Sequence, residues 1–499
     1  MIKNGTFPGL FQFFTLLILI LMLVWTWPYH NINGISASDP LMYTNLGNLL
    51  FWIYWMMGMV ILVLLIGRTW CAICPIGMIN GLTSKLGLKF NYPMKLRNWY
   101  MLVVVFILLQ ITINVTKLNH YPDLTARLLF IFVLLGAIFG LLFRGRVFCR
   151  YLCPVGSMIG VYSCFSPLEL RVKNKTICSQ CINKECIKGK TDTYSLCLGK
   201  TEFPVRNNAV PCPADLFPAA LEKNTHCYFC GQCIKVCPND NIRWNTRNIF
   251  SEIFLPNERP FSETLFIIVL LGMIMEKFVP LWPDLQEKIF PESLPALIFY
   301  IWIYLILPGI IILLPSLLIY LISQIRINPV KNPNETSGSL NNNDLNKNLT
   351  VDCNAVKKAE EVKNFSEPVS LNKITGYGSG IFIPVIFFSH LALALVKIFT
   401  RGGFIIYGLM DPVGIKTYRA IYQAEIMKAP SSILPISILR WIVLLPVILG
   451  SIISLITVFK IRKSNSFSKN SKAFALINSA AILALSLMFL LIVNNWLFS

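Results

Sequence analysis

Residues 67–78 read Gly-Arg-Thr-Trp-Cys-Ala-Ile-Cys-Pro-Ile-Gly-Met, and residues 145–158 repeat the pattern as Gly-Arg-Val-Phe-Cys-Arg-Tyr-Leu-Cys-Pro-Val-Gly-Ser-Met. Each copy directly follows an apolar run, so the chain holds two parallel units, each a pair of helices that ends in arginine, an aromatic residue, a cysteine pair and Cys-Pro. Leu and Met at helical spacing after each proline predict a short helix lying in the membrane interface. Both cysteine pairs, Cys71 with Cys74 and Cys149 with Cys153, are therefore expected at one membrane surface.

The surrounding composition supports a lipid-embedded body. Of the 499 residues 55% are hydrophobic and only 14% charged, which is too apolar for an ordinary soluble globule. A hydrocarbon core of about 30 Å takes roughly 20 apolar residues of helix, and runs of that order stand near 8–27, 45–67, 98–115, 123–143, 262–280, 294–323, 374–399, 438–459 and 473–498. The expected fold is an α-helical polytopic membrane protein of about nine transmembrane helices with an inserted α+β ferredoxin-like domain. The first run is long and lacks a small-residue cleavage site, so it reads as an uncleaved span.

A net charge of +20 raises the question of nucleic acid. The bases alternate by loop instead of forming one stripe, and 34 of the 44 Lys and Arg fall in loops on the side that carries Lys3. By the positive-inside rule that side is cytoplasmic. The expected location is the inner membrane of a bacterial or archaeal cell, with no nucleic-acid partner.

The expected organisation is a transmembrane core over 1–167, a compact polar insert over 168–258, two spans over 259–323, a polar linker over 324–373 containing lone Cys353, and a three-helix module over 374–499. Twelve of the fifteen cysteines lie between Cys149 and Cys237. Disulfides are rare in a reducing cytoplasm, so metal is the default reading.

Cys227, Cys230, Cys233, Cys237 and Pro238 give the run C-x2-C-x2-C-x3-C-P, the bacterial pattern for [4Fe–4S] clusters, in which the fourth cysteine serves the neighbouring cluster. A second triplet, Cys178, Cys181 and Cys186, has a four-residue gap where two residues are usual. Its distant partner is Cys212, followed by Pro213, with Cys197 as the rival. The crossed rule assigns one cluster to Cys178, Cys181, Cys186 and Cys237 and the other to Cys227, Cys230, Cys233 and Cys212. Four-cysteine zinc is the alternative, although zinc sites usually use two separated pairs. His226 adjoins Cys227 and reads as a surface or supporting residue.

With these motifs, residues 45–258 resemble the membrane polyferredoxins associated with periplasmic nitrate reductase and nitrous-oxide reductase, and the related cytochrome oxidase assembly protein that reduces copper. The resemblance implies a role in passing electrons among the quinone pool, cytoplasmic donors and a redox partner. This sequence departs from the family in having two residues, not three, between Cys71 and Cys74.

The four membrane cysteines form a possible third site, for a cluster or for Cu(I), since soft thiolates suit both; a dithiol couple and plain packing behind helix-breaking Cys-Pro turns are the other readings. Arg68, Arg144, Arg146 and Arg150 stand at the same surface, as topology anchors or as groups that tune thiols or hold a quinone headgroup or lipid phosphate. His390 is the lone histidine well inside a span, either a quinone or proton-relay group with Lys397 nearby or a helix–helix hydrogen bond. His120 and His30 lie in or beside outer loops, so a second intramembrane haem ligand is missing and no haem is expected. Cys164 reads as structural.

No phosphate-cradling glycine loop, nucleophile elbow or HExxH helix occurs, so any enzymatic role is as the electron-transfer component of an oxidoreductase system. Three functions compete: an electron-transfer subunit working with flavodoxin, ferredoxin, a reductase subunit or quinone; a membrane copper reductase or assembly factor; and a cluster-bearing scaffold or redox sensor.

Overall fold

A computed structural model describes residues 6–27, 41–198, 201–209, 211–255, 258–289, 296–325, 370–463 and 471–498. The interior of the polar segment 324–373, with Cys353, and also His30, lie outside the described residues.

The chain is mostly helical. Eight helical segments among the described residues are long and apolar enough to cross a bilayer: Phe7–Thr26, Leu46–Leu86, Pro122–Leu142, Phe261–Leu281, Ile298–Gln324, Leu371–Met410, Ile436–Lys463 and Ser471–Trp496. The ninth expected run is the helix Tyr100–Val115, which has 16 residues. At 1.5 Å per residue it reaches about 24 Å, short of the hydrocarbon thickness.

The helices at the centre are apolar all round because they touch other helices on every side. Phe261–Phe278 and the stretch from Ile374 to Val396 are almost wholly buried. Small residues set the closest crossings, as expected where backbones must approach without a hydrophobic drive. A Cβ on Gly140 would lie 2.0 Å from Thr83 Oγ1, and one on Gly450 would lie 2.7 Å from Phe388 Cβ.

Both Cys-Pro turns are built alike. Cys74 and Cys153 hold extended backbone and stand just ahead of helices that start at Pro75 and Pro154, where a missing N–H and a fixed φ cost nothing. The turns then diverge. Pro75–Leu86 exposes Leu82 and Leu86, as an interfacial helix should. Pro154–Tyr162, expected to do the same, is instead buried along nearly its whole length. Two contacts cover it: the insert sits directly on it at Gly160, where a Cβ would lie 2.6 Å from Thr225 O, and Met158, Ile159, Val161 and Tyr162 pack into the core of the central spans.

The insert is small. Strand β1 (Leu168–Val172) is followed by a hairpin of β2 (Lys190–Leu198) and β3 (Thr201–Ala209), and then by β4 (Ile242–Thr246). β1 pairs antiparallel with β4 in the register Leu168↔Thr246 to Val172↔Ile242. Its core is Leu170, Cys227, Phe229 and Ile242. Arg247, just past β4, fastens it to the body by donating to the carbonyls of Ser163, Cys164 and Ser166 and pairing with buried Glu252. Removing one partner of a buried ion pair leaves an uncompensated charge, at a cost of about 3–5 kcal/mol. Glu252→Ala is therefore expected to lower the insert's stability by that amount, read by hydrogen exchange over residues 163–172 and 241–252. Unchanged protection there would refute the anchoring role.

Candidate metal centre

The irregular triplet is shaped by local turns. Asn174 caps the helix Lys175–Gln180 by accepting from Thr176 N at 2.8 Å, which presents Cys178. Cys181 ends that helix in extended backbone. The longer gap is taken up by Lys184 at φ +45°, after which Cys186 sits in the short helix Glu185–Lys188. In the regular run, Phe229 at φ +55° and Gly231 at φ +71° turn the chain, and Cys237 closes the helix Gln232–Val236.

These turns create two separate cavities. Cys178, Cys181, Cys186 and Cys237 share one, with about 340 Å³ of atom-free space. Cys212, Cys227, Cys230 and Cys233 share the other, with about 380 Å³. The eight cysteines thus stand in two groups of four around separate cavities. The side chain of Cys197, on β2, lies outside the described residues. Among the described residues no group of three or more His, Cys, Asp or Glu converges tightly enough to hold a single metal ion; the thiols stand around spaces.

Crossing depends on Asn241. Lys173 N donates to Asn241 O at 2.7 Å, Asn174 N to its Oδ1 at 2.9 Å, and its Nδ2 to Asn174 O at 2.7 Å. The same Nδ2 reaches Cys178 Sγ at 3.2 Å, and Asn241 N reaches Cys237 Sγ at 3.3 Å. In the other group Leu216 N donates to Cys212 Sγ at 3.4 Å. Burial pushes the Cys227 thiol up to about 12 and Cys186 to about 11, so without metal these thiols are neutral.

The membrane cysteines of the two repeats also meet. A Cβ on Gly77 would lie 3.7 Å from Cys149 Sγ and 3.2 Å from the Arg146 guanidinium, and one on Gly156 would lie 3.4 Å from Cys153 Sγ and 3.5 Å from Arg68. Gly156 N donates to Cys153 Sγ at 3.3 Å. Charge on Cys71, Cys74 or Cys153 is felt at Cys149.

The arginines do more than mark topology. Arg68, 2% exposed, donates to Thr225 O and stacks over Tyr228 at 4.8 Å, while its Nε has no hydrogen-bond partner among the described residues. Arg146 donates to Cys71 O at 3.1 Å and Arg150 to Ala214 O. Arg144 is exposed. Guanidiniums from both repeats thereby grip the segment between Cys212 and Cys227, at Ala214 and Thr225. Sequence reasoning missed Tyr228, whose position inside the motif was the available signal. It is buried, lines the second cavity and has a hydroxyl with no hydrogen-bond partner among the described residues.

His226 is half-buried against the Trp99 ring, 5.6 Å between centroids. Burial pushes it down to about 3, helped by Arg68 and Arg150, so it is neutral. His390 is buried, with Nδ1 3.2 Å from Tyr162 Oη, which is a helix–helix hydrogen bond between Ile383–Arg401 and Pro154–Tyr162. Cys164 is buried in the helical core.

Fold and cysteines together define a multi-pass membrane protein with a small, ferredoxin-like cysteine-rich segment. The 4Fe-4S binding domain family matches residues 48–93 and 126–169, the two Cys-Pro repeats themselves. Distant homologues include an uncharacterized protein of Methanocaldococcus jannaschii, 27% identical over 26% of this chain and 54% of that one. Another is the proposed electron transport protein YccM of Escherichia coli, 28% identical over 25% of this chain and 42% of that one. A third is the ferredoxin-type protein NapH of Haemophilus influenzae, 26% identical over 35% of this chain and 61% of that one. The chain thus spans about half the length of the curated relatives it matches. No solved structure matches.

Alkylation needs the thiolate, so a raised pKa slows it at neutral pH and the rate climbs as pH rises toward that value. In metal-free protein, Cys227 is expected to react with iodoacetamide far more slowly at pH 8 than an exposed thiol, about 8.5 in pKa, with a rate still rising at pH 10. Mass spectrometry of the peptide containing Cys227 measures it, and a plateau below pH 9 would contradict the assigned burial effect.

Proposed function

We propose that this chain is a membrane-bound iron–sulfur protein that relays electrons between a quinol or cytoplasmic donor and a partner redox enzyme, with its insert on the cytoplasmic side. The observation that carries the reading is the partition of eight cysteines between two cavities. Spaces ringed by four thiols suit a polynuclear centre better than one tetrahedral ion, whose ligands must stand about 2.3 Å from the metal. Cys178, Cys181, Cys186 and Cys237 would hold one [4Fe–4S] cluster and Cys212, Cys227, Cys230 and Cys233 the other. Bound there, the clusters supply one-electron carriage. Asn241 and Leu216 donate hydrogen bonds to ligand sulfurs, which is one way a chain sets potential. The printed names of YccM and NapH, electron transport and ferredoxin-type, point the same way.

A third centre at Cys71, Cys74, Cys149 and Cys153 is favoured by Arg68. A buried cation with an unpartnered Nε is costly unless an anion is near, and the thiolates of a cluster or of bound Cu(I) would provide it. The match of the 4Fe-4S binding domain to these same repeats supports the cluster.

The test is anaerobic purification with iron and sulfide analysis and EPR of the reduced protein. Two cubanes give about eight irons per chain, and a third about twelve. Cys212→Ser is expected to abolish the second cluster's signal while Cys197→Ser preserves both; the reverse would reassign the ligand. Zinc in place of iron and sulfide would end the proposal. Reduced protein is also expected to be reoxidised by a quinone analogue or by oxidised flavodoxin. Replacing the four membrane cysteines with alanine is expected to remove about four irons, or the copper, and leave the insert's signals intact.

A further inference from the structure

A cleft of about 2210 Å³, its open mouth included, lies between the membrane-surface helix Pro75–Leu86 and the loop that carries Cys212. Among the described residues six cations line it, Lys85, Lys89, Arg97, Arg144, Arg146 and Arg150, against a single carboxylate, Asp215. None of the six forms an ion pair with a described residue. Like charges gathered at this density repel one another, and around a concave wall their potentials add. The fold holds them there by other means: Arg97 Nε donates to Tyr92 O at 3.1 Å, Arg146 to Cys71 O at 3.1 Å and Arg150 to Ala214 O. Tyr92 and Tyr151 stack at 4.8 Å to stiffen the wall between them. Arg150 Nε is buried without a hydrogen-bond partner among the described residues.

The opposite edge is apolar. Met78 and Leu82 line the cleft, and Leu82, Leu86, Leu88 and Phe90 are exposed beside it, where the bilayer edge would meet the interfacial helix. A ligand that satisfies both edges carries a phosphate and an apolar tail.

We propose that this cleft binds the phosphate of an anionic phospholipid, with Lys85, Lys89 and Arg97 at the mouth and Arg146 and Arg150 behind them. Arginine forks and lysine point charges are the usual recognisers of phosphate oxygens. The bound headgroup faces Cys212 and Cys230 on the back wall, so negative charge there lowers the potential of the cluster assigned to those thiols. That last effect rests on the proposed function; the binding does not.

The experiment uses the full chain in nanodiscs of phosphatidylcholine with or without phosphatidylglycerol, with retained lipid read by native mass spectrometry. Phosphatidylglycerol is expected to be retained over phosphatidylcholine. The exposed pair Lys85→Gln/Lys89→Gln is expected to weaken that preference by roughly fivefold per lysine, with iron content and thermal stability unchanged. Displacement by inorganic phosphate or flavin mononucleotide at low concentration would assign the cations to a soluble phosphate compound and overturn the lipid. Equal retention of both lipids, or no effect of the double variant, would overturn the site. Anaerobically isolated full chain that shows this lipid selectivity yet contains no iron or sulfide would sink the electron-carrier reading alone. In the iron-loaded protein, phosphatidylglycerol is expected to shift the second cluster's midpoint potential downward, and the double variant is expected to lose the shift.

Discussion

The structure turns on a guanidinium held out of water. Arg68 ends a membrane-crossing helix, yet its charge lies beneath the insert, between a backbone carbonyl on one side and cysteine sulfurs on the other. A buried cation is tolerated only where hydrogen bonds and negative charge replace hydration. Thr225 O supplies one such bond and the Tyr228 ring a cation–π contact, which draws the loop before Cys227 down onto the membrane repeats. Gly160 then has to be glycine, because the loop's backbone comes too close for a Cβ.

From that contact the rest follows in layers. Arg146 and Arg150 extend the grip to the loop carrying Cys212, and Arg247 fastens the far edge of the insert to residues 163–166. The insert is thereby seated on the helix Pro154–Tyr162 and not merely tethered. That helix in turn packs under the central spans, where Phe165 stacks on Phe387 at 4.4 Å and Tyr162 meets His390. The cysteines of the insert and the thiols of the membrane repeats are neighbours because the same few side chains hold both segments.

Much of this was legible along the chain because it is local. Membrane crossing follows from run length alone, and the turns of 227–238 follow from spacing that spans a dozen residues. Pro75 and Pro154 marked helix starts because proline acts on its own backbone. Contacts between distant segments were less visible. The burial of 154–162, the depth of 374–396 and the role of Tyr228 depend on what lies opposite, and composition is silent on that. Whether the four arginines anchor topology or serve thiols and headgroups stayed open along the chain, because charge counting weighs their number and not their partners.

The sequence by itself determined the helical membrane body, the polar insert, the two Cys-Pro repeats and which cysteines could be ligands, since each of these depends on residue type at short range. Spacing pointed to the grouping of the cysteines, but only the tertiary structure decided the contacts that place Cys178 beside Cys237 and Cys212 beside Cys227, and that six cations share one cleft. Those facts depend on the β1–β4 pairing closed by Asn241 and on guanidinium contacts spanning from about 60 to nearly 160 residues. Such closures are chosen by the free energy of the whole packed molecule, which no short window of sequence contains.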